Sequence, residues 1–154
     1  MTLSCSAPDP RIGLTGKFVS CSEAETIQWG RNFAENLNSG DIVFIIGDLG
    51  SGKTVIARGI AHGLGYQGIV TSPSFTLHQI YQGNFTIHHC DLYRLKPGDN
   101  LIDFGFEEIF DSDAVTIFEW AENFPVANRL PRWEIRTEIG ANEWERNIIW
   151  NYLD

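Results

Sequence analysis

The stretch Gly47-Asp48-Leu49-Gly50-Ser51-Gly52-Lys53-Thr54 spells G-x-x-x-x-G-K-[ST] directly after the apolar run Ile42-Val43-Phe44-Ile45-Ile46. A strand, a tight glycine-bearing turn and a helix are what that order can become, which points to an α/β architecture. Glycines at these positions let backbone N–H groups curl around a phosphate, and the loop opens a helix whose positive dipole end faces the anion. Lys53 is spaced to bridge β- and γ-phosphates, and the Thr54 hydroxyl to hold Mg²⁺. The pattern predicts a nucleoside triphosphate site. Its plain alternative is a Gly-rich turn between two core elements.

The chain has 154 residues, the size of one domain. Its formal net charge of -9, with only 11 basic residues and those scattered, argues against a protein that holds nucleic acid by itself. A protein partner with a basic face fits that charge better. Cys5, Cys21 and Cys90 are odd in number, widely spaced and without a C-x-x-C pair, so neither a disulfide framework nor a zinc site is expected. With no signal-peptide pattern at the start and no apolar run long enough to span a bilayer, the expectation is a cytoplasmic protein without a membrane partner.

Residues 1–16 carry Pro8, Pro10, Gly13 and Gly16 and no apolar period, and read as a flexible leader to a domain over residues 17–154. Phe18 and Val19 suggest a short strand. Ser22-Glu23-Ala24-Glu25 is a capping box, in which Ser22 accepts from the Glu25 N–H while Glu25 reaches back to Ser22. The helix it opens has Ile27, Gly30, Phe33, Ala34 and Leu37 on one face and stops near Ser39-Gly40. The helix after the phosphate loop carries Val55, Ile56, Ile60 and Leu64 and ends in the Gly63–Gly65 stretch. Thr71–Thr76 reads as a hydroxyl-rich loop, leading into a strand around Leu77–Tyr81 and a turn at Gln82-Gly83-Asn84. Phe85–Asp91 and Ala114–Phe118 read as strands that end in acids, Asp91 and Glu119. Between them stand a turn at Pro97-Gly98-Asp99 and a short helix around Phe106–Phe110. Trp133–Ile139 and Trp144–Tyr152 around Gly140-Ala141-Asn142 predict a C-terminal β-hairpin.

In open α/β sheets ligands sit beyond the carboxyl ends of the strands, so acids at strand ends beside a phosphate loop are placed where Mg²⁺ belongs. Asp91 fits the acid that orients the metal or its waters, or else a turn or helix-capping aspartate. Glu119 completes the metal shell or orients an attacking water, or is a plain glutamate at a strand exit. Thr71–Thr76 suits a switch that senses the γ-phosphate, and equally a solvated turn. His88 and His89 point to opposite faces of a strand and do not converge on one ion.

Taken together, four segments resemble one family, TsaE, the bacterial ATPase of tRNA threonylcarbamoyladenosine biosynthesis. They are the phosphate loop, Ser72-Pro73-Ser74-Phe75-Thr76-Leu77, His89-Cys90-Asp91-Leu92-Tyr93-Arg94-Leu95 and Glu119-Trp120-Ala121-Glu122. Their order and spacing agree over roughly residues 18–150, and the second and third are quite specific. The resemblance implies a single P-loop NTPase-like α/β domain, with a mixed β-sheet flanked by helices. It also implies slow hydrolysis of ATP to ADP with Mg²⁺, made productive on two partner proteins of TsaB and TsaD type. Those partners modify adenosine 37 of tRNA, which this chain meets only through them.

Carried over by position, Lys53, Asp91 and Glu119 are catalytic, and Thr54, Asp91 and Glu119 hold the metal. Nucleotide contacts fall to Asp48, Leu49, Gly50, Ser51, Gly52, Lys53, Thr54, Val55, Ser74 and Trp120. The chain departs from the family pattern at Ser74 and Val55, where Thr is usual, and at Ala121, where Pro is usual. Ser74 keeps a hydroxyl, Val55 loses one, and Ala121 loosens the backbone after Trp120. Two rival readings remain. A small phosphotransferase needs Arg or Lys residues closing over two substrates, and Arg58, Arg94 and Arg129 are too scattered to form such a lid. A GTP switch needs an Asn-Lys-x-Asp signature, which the chain lacks after the loop, favouring adenine.

Overall fold

The computed structural model describes residues 13–73, 76–96, 98–99, 113–123 and 130–154. Seven strands form one mixed sheet: β1 (Thr15–Ser20), β2 (Ile42–Ile46), β3 (His78–Gln82), β4 (Thr86–Asp91), β5 (Val115–Glu119), β6 (Arg132–Ile139) and β7 (Arg146–Leu153). Their spatial order is β1-β7-β6-β2-β5-β4-β3. The central strands β4, β5, β2 and β6 run parallel, and β3, β7 and β1 are antiparallel to their neighbours. Helix α1 (Glu23–Ala34) and helix α2 (Lys53–Gly63) pack on each other and on one face of the sheet.

The parallel strands read as near-continuous apolar runs because both faces are covered. Alternation along β2 divides them: Val43 and Ile45 meet the helices, while Phe44 joins Cys90, Leu92, Leu95 and Phe118 on the other face. Under the helices the core is aromatic, with Trp29 and Phe33 of α1 at 5.2 Å, Phe33 against Trp133 at 5.1 Å and Trp29 against Trp150 at 5.4 Å. Each such ring removes on the order of 150–250 Å² from water, so this contact helps hold α1 on the sheet.

Several boundaries differ from the sequence expectation. β1 begins at Thr15, inside the expected leader, because Thr15 and Gly16 pair with Asn151 and Trp150 of β7. Residues 1–12 of that leader lie outside the described residues, as do Pro97 of the expected turn and the expected helix around Phe106–Phe110. The Ser22 hydroxyl does cap α1, accepting from Glu25 N at 3.1 Å, but Glu25 takes the Cys21 N–H at 2.8 Å instead of that of Ser22. The helix ends at Ala34, short of Ser39, its last carbonyls taken by tighter turns from Glu35, Asn36 and Leu37. Trp144 belongs to the β6–β7 turn and not to a strand, and is exposed. Cys90 is a buried free thiol, whereas Cys21 is disulfide-bonded, a bond the scattered cysteines do not predict.

Candidate nucleotide site

β2 delivers the phosphate loop to the carboxyl end of the central parallel strands. Gly50 and Gly52 sit at φ 79° and 99°, in the left-handed region open to glycine. Gly47 allows a close approach: a Cβ there would meet Ser51 Oγ and the Thr137 carbonyl oxygen. β6 braces the loop from below, Thr137 Oγ1 donating to Ser51 O at 2.9 Å. Gly52 is the N-cap of α2 and offers no side-chain acceptor to the first N–H groups of the helix. Such an end, aimed into a groove, favours an anion.

Lys53 Nζ turns back onto the loop, donating to Gly47 O at 2.7 Å and Asp48 O at 2.8 Å, and lies 4.0 Å above the Trp120 ring. Burial lowers its pKa, against the raising influence of Glu119, Glu122, Asp91 and Asp48. Trp120 follows β5 at φ 59°, a left-handed conformation rare for so large a residue, and it packs on Tyr93 at 4.9 Å. Conformations of this kind cost roughly 1–3 kcal/mol and gather at ligand sites. Ala121 starts a short 3-10 turn (Ala121–Asn123) and is buried, so the backbone after Trp120 is held by packing without a proline.

The two acids meet. Asp91 and Glu119 are register partners at the ends of β4 and β5, each only 2% exposed. Thr54 Oγ1, on the first turn of α2, donates to Glu119 at 3.0 Å (Oε1) and 3.3 Å (Oε2). Asp91 accepts from Tyr93 N at 2.9 Å and from Ser72 Oγ at 3.2 Å. Burial nevertheless raises the Asp91 pKa, with the Glu119 carboxylate adding to it and the Tyr93 and Ser72 donors opposing. A threonine hydroxyl and two carboxylates form a hard oxygen set, the kind Mg²⁺ takes in preference to softer metals. The loop also holds an orphan: buried Ser51 Oγ has no hydrogen-bond partner among the described residues.

An open groove of about 430 Å³ runs along these residues, lined by Gly52, Lys53, Thr54, Asp91, Glu119 and Trp120 among others. It continues into a second hollow of about 220 Å³ bounded by Ser22, Glu23, Thr26, Val55 and Trp144. The two share Gly52, Val55 and Arg146.

Of the residues expected from sequence, Lys53, Thr54, Asp91, Glu119, Trp120, Leu49, Gly50, Gly52 and Val55 line this continuous groove. Asp48 and Ser51 lie in the loop turn, Ser51 N donating to Asp48 O at 3.1 Å, and their side chains do not line the groove. Ser74 lies outside the described residues. Sequence reasoning missed Arg146, which comes from the C-terminal hairpin and donates to Gly50 O at 3.3 Å. It also missed a buried chain behind Glu119, where His89 Nε2 is 3.0 Å from Oε1 and Nδ1 is 2.9 Å from the Tyr81 hydroxyl. The two-residue period of a strand puts His89 on the same face as Asp91 and was the available signal.

The family model described as threonylcarbamoyl adenosine biosynthesis protein TsaE matches residues 20–148. A protein of Treponema pallidum named tRNA threonylcarbamoyladenosine biosynthesis protein TsaE is 38% identical over 121 residues, covering 79% of this chain and 88% of the relative. A Rickettsia typhi protein of the same name is 44% identical over 123 residues, covering 79% and 85%. A third, from Haemophilus influenzae, is 36% identical over 132 residues, covering 82% of each. Among solved structures, YdiB of Bacillus subtilis superposes with a TM-score of 0.75 at 29% identity, covering 91% of this chain and 86% of that one. Family model, sequence relatives and solved structure agree: the chain belongs to the TsaE family of threonylcarbamoyl adenosine biosynthesis proteins.

Proposed function

We propose that this protein binds ATP with Mg²⁺ and hydrolyses it to ADP. It does so as a subunit of the system that forms N6-threonylcarbamoyladenosine at position 37 of tRNA. In this reading it acts in the cytoplasm on two partner proteins of TsaB and TsaD type and reaches tRNA only through them. The observation that carries the ATPase reading is the junction of Thr54, Asp91 and Glu119 at the open end of the phosphate loop. The tRNA pathway comes from the relatives, whose names state it. No helix among the described residues is long and apolar enough to cross a membrane.

Direction along the groove follows from chemistry. The triphosphate lies over Gly50–Thr54 with its γ-end toward Asp91, Glu119 and Trp120. The nucleoside then falls in the hollow of Val55, Thr26 and Trp144, where the exposed indole offers a stacking face. Ser74, the remaining hydroxyl expected to touch nucleotide, is two positions along the chain from Ser72, whose hydroxyl contacts Asp91. Bound Mg²⁺ would be held by Thr54, Asp91 and Glu119 and would neutralise charge growing on the phosphates. Lys53 leaves its two loop carbonyls and pairs with β- and γ-phosphate oxygens, and the α2 N-terminus supports the same charge. Glu119 orients the water that attacks in line with the leaving ADP.

ATP turnover measured for the protein alone and with a purified TsaB–TsaD type pair tests this. Slow turnover alone, strong stimulation by the pair and a loss of about 100-fold or more in Lys53→Ala are expected. Full nucleotide affinity and turnover in Lys53→Ala would overturn the loop assignment. Good ATP binding with no response to the pair would overturn the partner assignment alone.

A further inference from the structure

Behind Glu119, outside the groove, a line of buried polar groups crosses from β5 to the edge strand. His89, wholly buried on β4, has both ring nitrogens engaged: Nε2 lies 3.0 Å from Glu119 Oε1, and Nδ1 lies 2.9 Å from the Tyr81 hydroxyl. That hydroxyl is in turn 2.7 Å from Gln79 Oε1 on β3. Burial pushes the Tyr81 pKa up to about 12, so the phenol keeps its proton.

Counting protons fixes the direction of the contact that matters. The phenol has one proton to give. If it goes to Gln79, His89 must donate through Nδ1, and the carboxylate oxygen on its other side requires a donor at Nε2 as well. If it goes to His89 Nδ1, the neutral ring carries its own proton on Nε2, and the Gln79 amide, turned over, donates an N–H to the phenol oxygen. The remaining tautomer, protonated on Nδ1 alone, would set a lone pair against a carboxylate oxygen 3.0 Å away. In both arrangements that satisfy the groups, Nε2–H points at Glu119.

We propose that His89 is a positioning residue for Glu119. Its Nε2–H ties down Oε1, and Tyr81 fixes the ring plane. The carboxylate thereby presents one set face to the groove beside Thr54 and Asp91. Glu119 needs such a tether, because it is buried with a second carboxylate, Asp91, as its register partner, and repulsion between them favours turning one aside. Among the described contacts, Thr54 is the other side chain that donates to it, from the groove side. The proposal rests on the reading of Glu119 as the acid facing Mg²⁺ and nucleotide.

The conservative pair His89→Gln and His89→Asn separates positioning from filling space. Glutamine carries an N–H at about the reach of Nε2, whereas asparagine matches Nδ1 and falls short of Glu119. The first readout is the Mg²⁺ concentration giving half-maximal ATP binding, with Mg²⁺-free ADP affinity alongside. The second is turnover resolved into kcat and KM. For His89→Asn the expected result is a rise of about 10–100-fold in the Mg²⁺ requirement and a similar fall in kcat, with Mg²⁺-free ADP affinity unchanged. His89→Gln recovers most of both. Tyr81→Phe, which leaves His89 in place but frees its ring, shifts both in the same direction by less, and it serves if His89→Asn does not fold.

Wild-type Mg²⁺ dependence in His89→Asn overturns the proposal. Equal loss of ADP affinity in the Gln and Asn variants, with or without Mg²⁺, overturns it too and leaves His89 a packing residue. If the unsubstituted protein binds no nucleotide in Mg²⁺, the ATPase reading itself has failed, which the wild-type control reveals before any variant is compared.

Discussion

Asp91 sits at the end of β4 with its carboxyl buried beside that of Glu119, and burial is the largest influence raising its pKa above the ordinary aspartate range. A raised folded-state pKa means that the ionised form is disfavoured by folding. The penalty is absent below about pH 4, where the unfolded chain is protonated too, and grows as pH rises through the folded value. Asp91→Asn should therefore stabilise the free protein at neutral pH, raising its melting midpoint, while weakening Mg²⁺-dependent ATP binding. Thermal melts from pH 3.5 to 7.5 check this: the gain should vanish at the acid end, and a gain independent of pH would rule out the burial explanation. At this scale the sequence was readable where function depends on local spacing, as for Lys53 and Thr54. It was silent on where Lys53 points, because Gly47 O, Asp48 O and the Trp120 ring compete for its ammonium and only the folded loop sets their distances.

The two helices touch through glycine. A Cβ on Gly59 of α2 would strike the Ile27 carbonyl oxygen of α1 and come within 3.0 Å of Gly30 Cα. In an isolated helix, Gly to Ala gains about 1 kcal/mol, so propensity alone predicts that Gly59→Ala stabilises. The close backbone approach reverses the sign: Gly59→Ala should lose about 1–3 kcal/mol to overpacking, read from urea melts, with Mg²⁺–ATP affinity of the folded fraction retained. A stabilised variant would show that the helices can part at no cost. Both helices were legible, one from its capping box and the other from the phosphate loop. Their glycine contact was not, since Gly30 and Gly59 are 29 positions apart and nothing local marks the pair. The β6–β7 hairpin was legible as well, yet its reach was hidden: Arg146 at its turn contacts Gly50 of the loop, 96 residues earlier.

Across the whole molecule, the candidate site draws on the phosphate loop, β4, β5, β7 and the start of α2, so occupying it ties together elements that are far apart in the chain. ATP with Mg²⁺ at 100 times its dissociation constant should add about 2.7 kcal/mol, or about 5–11 °C in the melting midpoint. The shift should be largely lost in Lys53→Ala. Differential scanning fluorimetry reads it, and an unchanged midpoint in the unsubstituted protein would defeat the phosphate-loop reading. The sequence by itself determined the α/β class, the phosphate loop, the strand-end acids and the family, because each is written in local spacing or in short contiguous segments. Tertiary structure decided which strands are neighbours, and so that Asp91 and Glu119 stand side by side. It also decided that His89 and Tyr81 back Glu119, and that Trp144 and Arg146 close the groove. The physical reason is that these contacts follow from sheet register and helix packing, which are set by burying the two apolar faces of the sheet as a whole and leave no mark in any one segment.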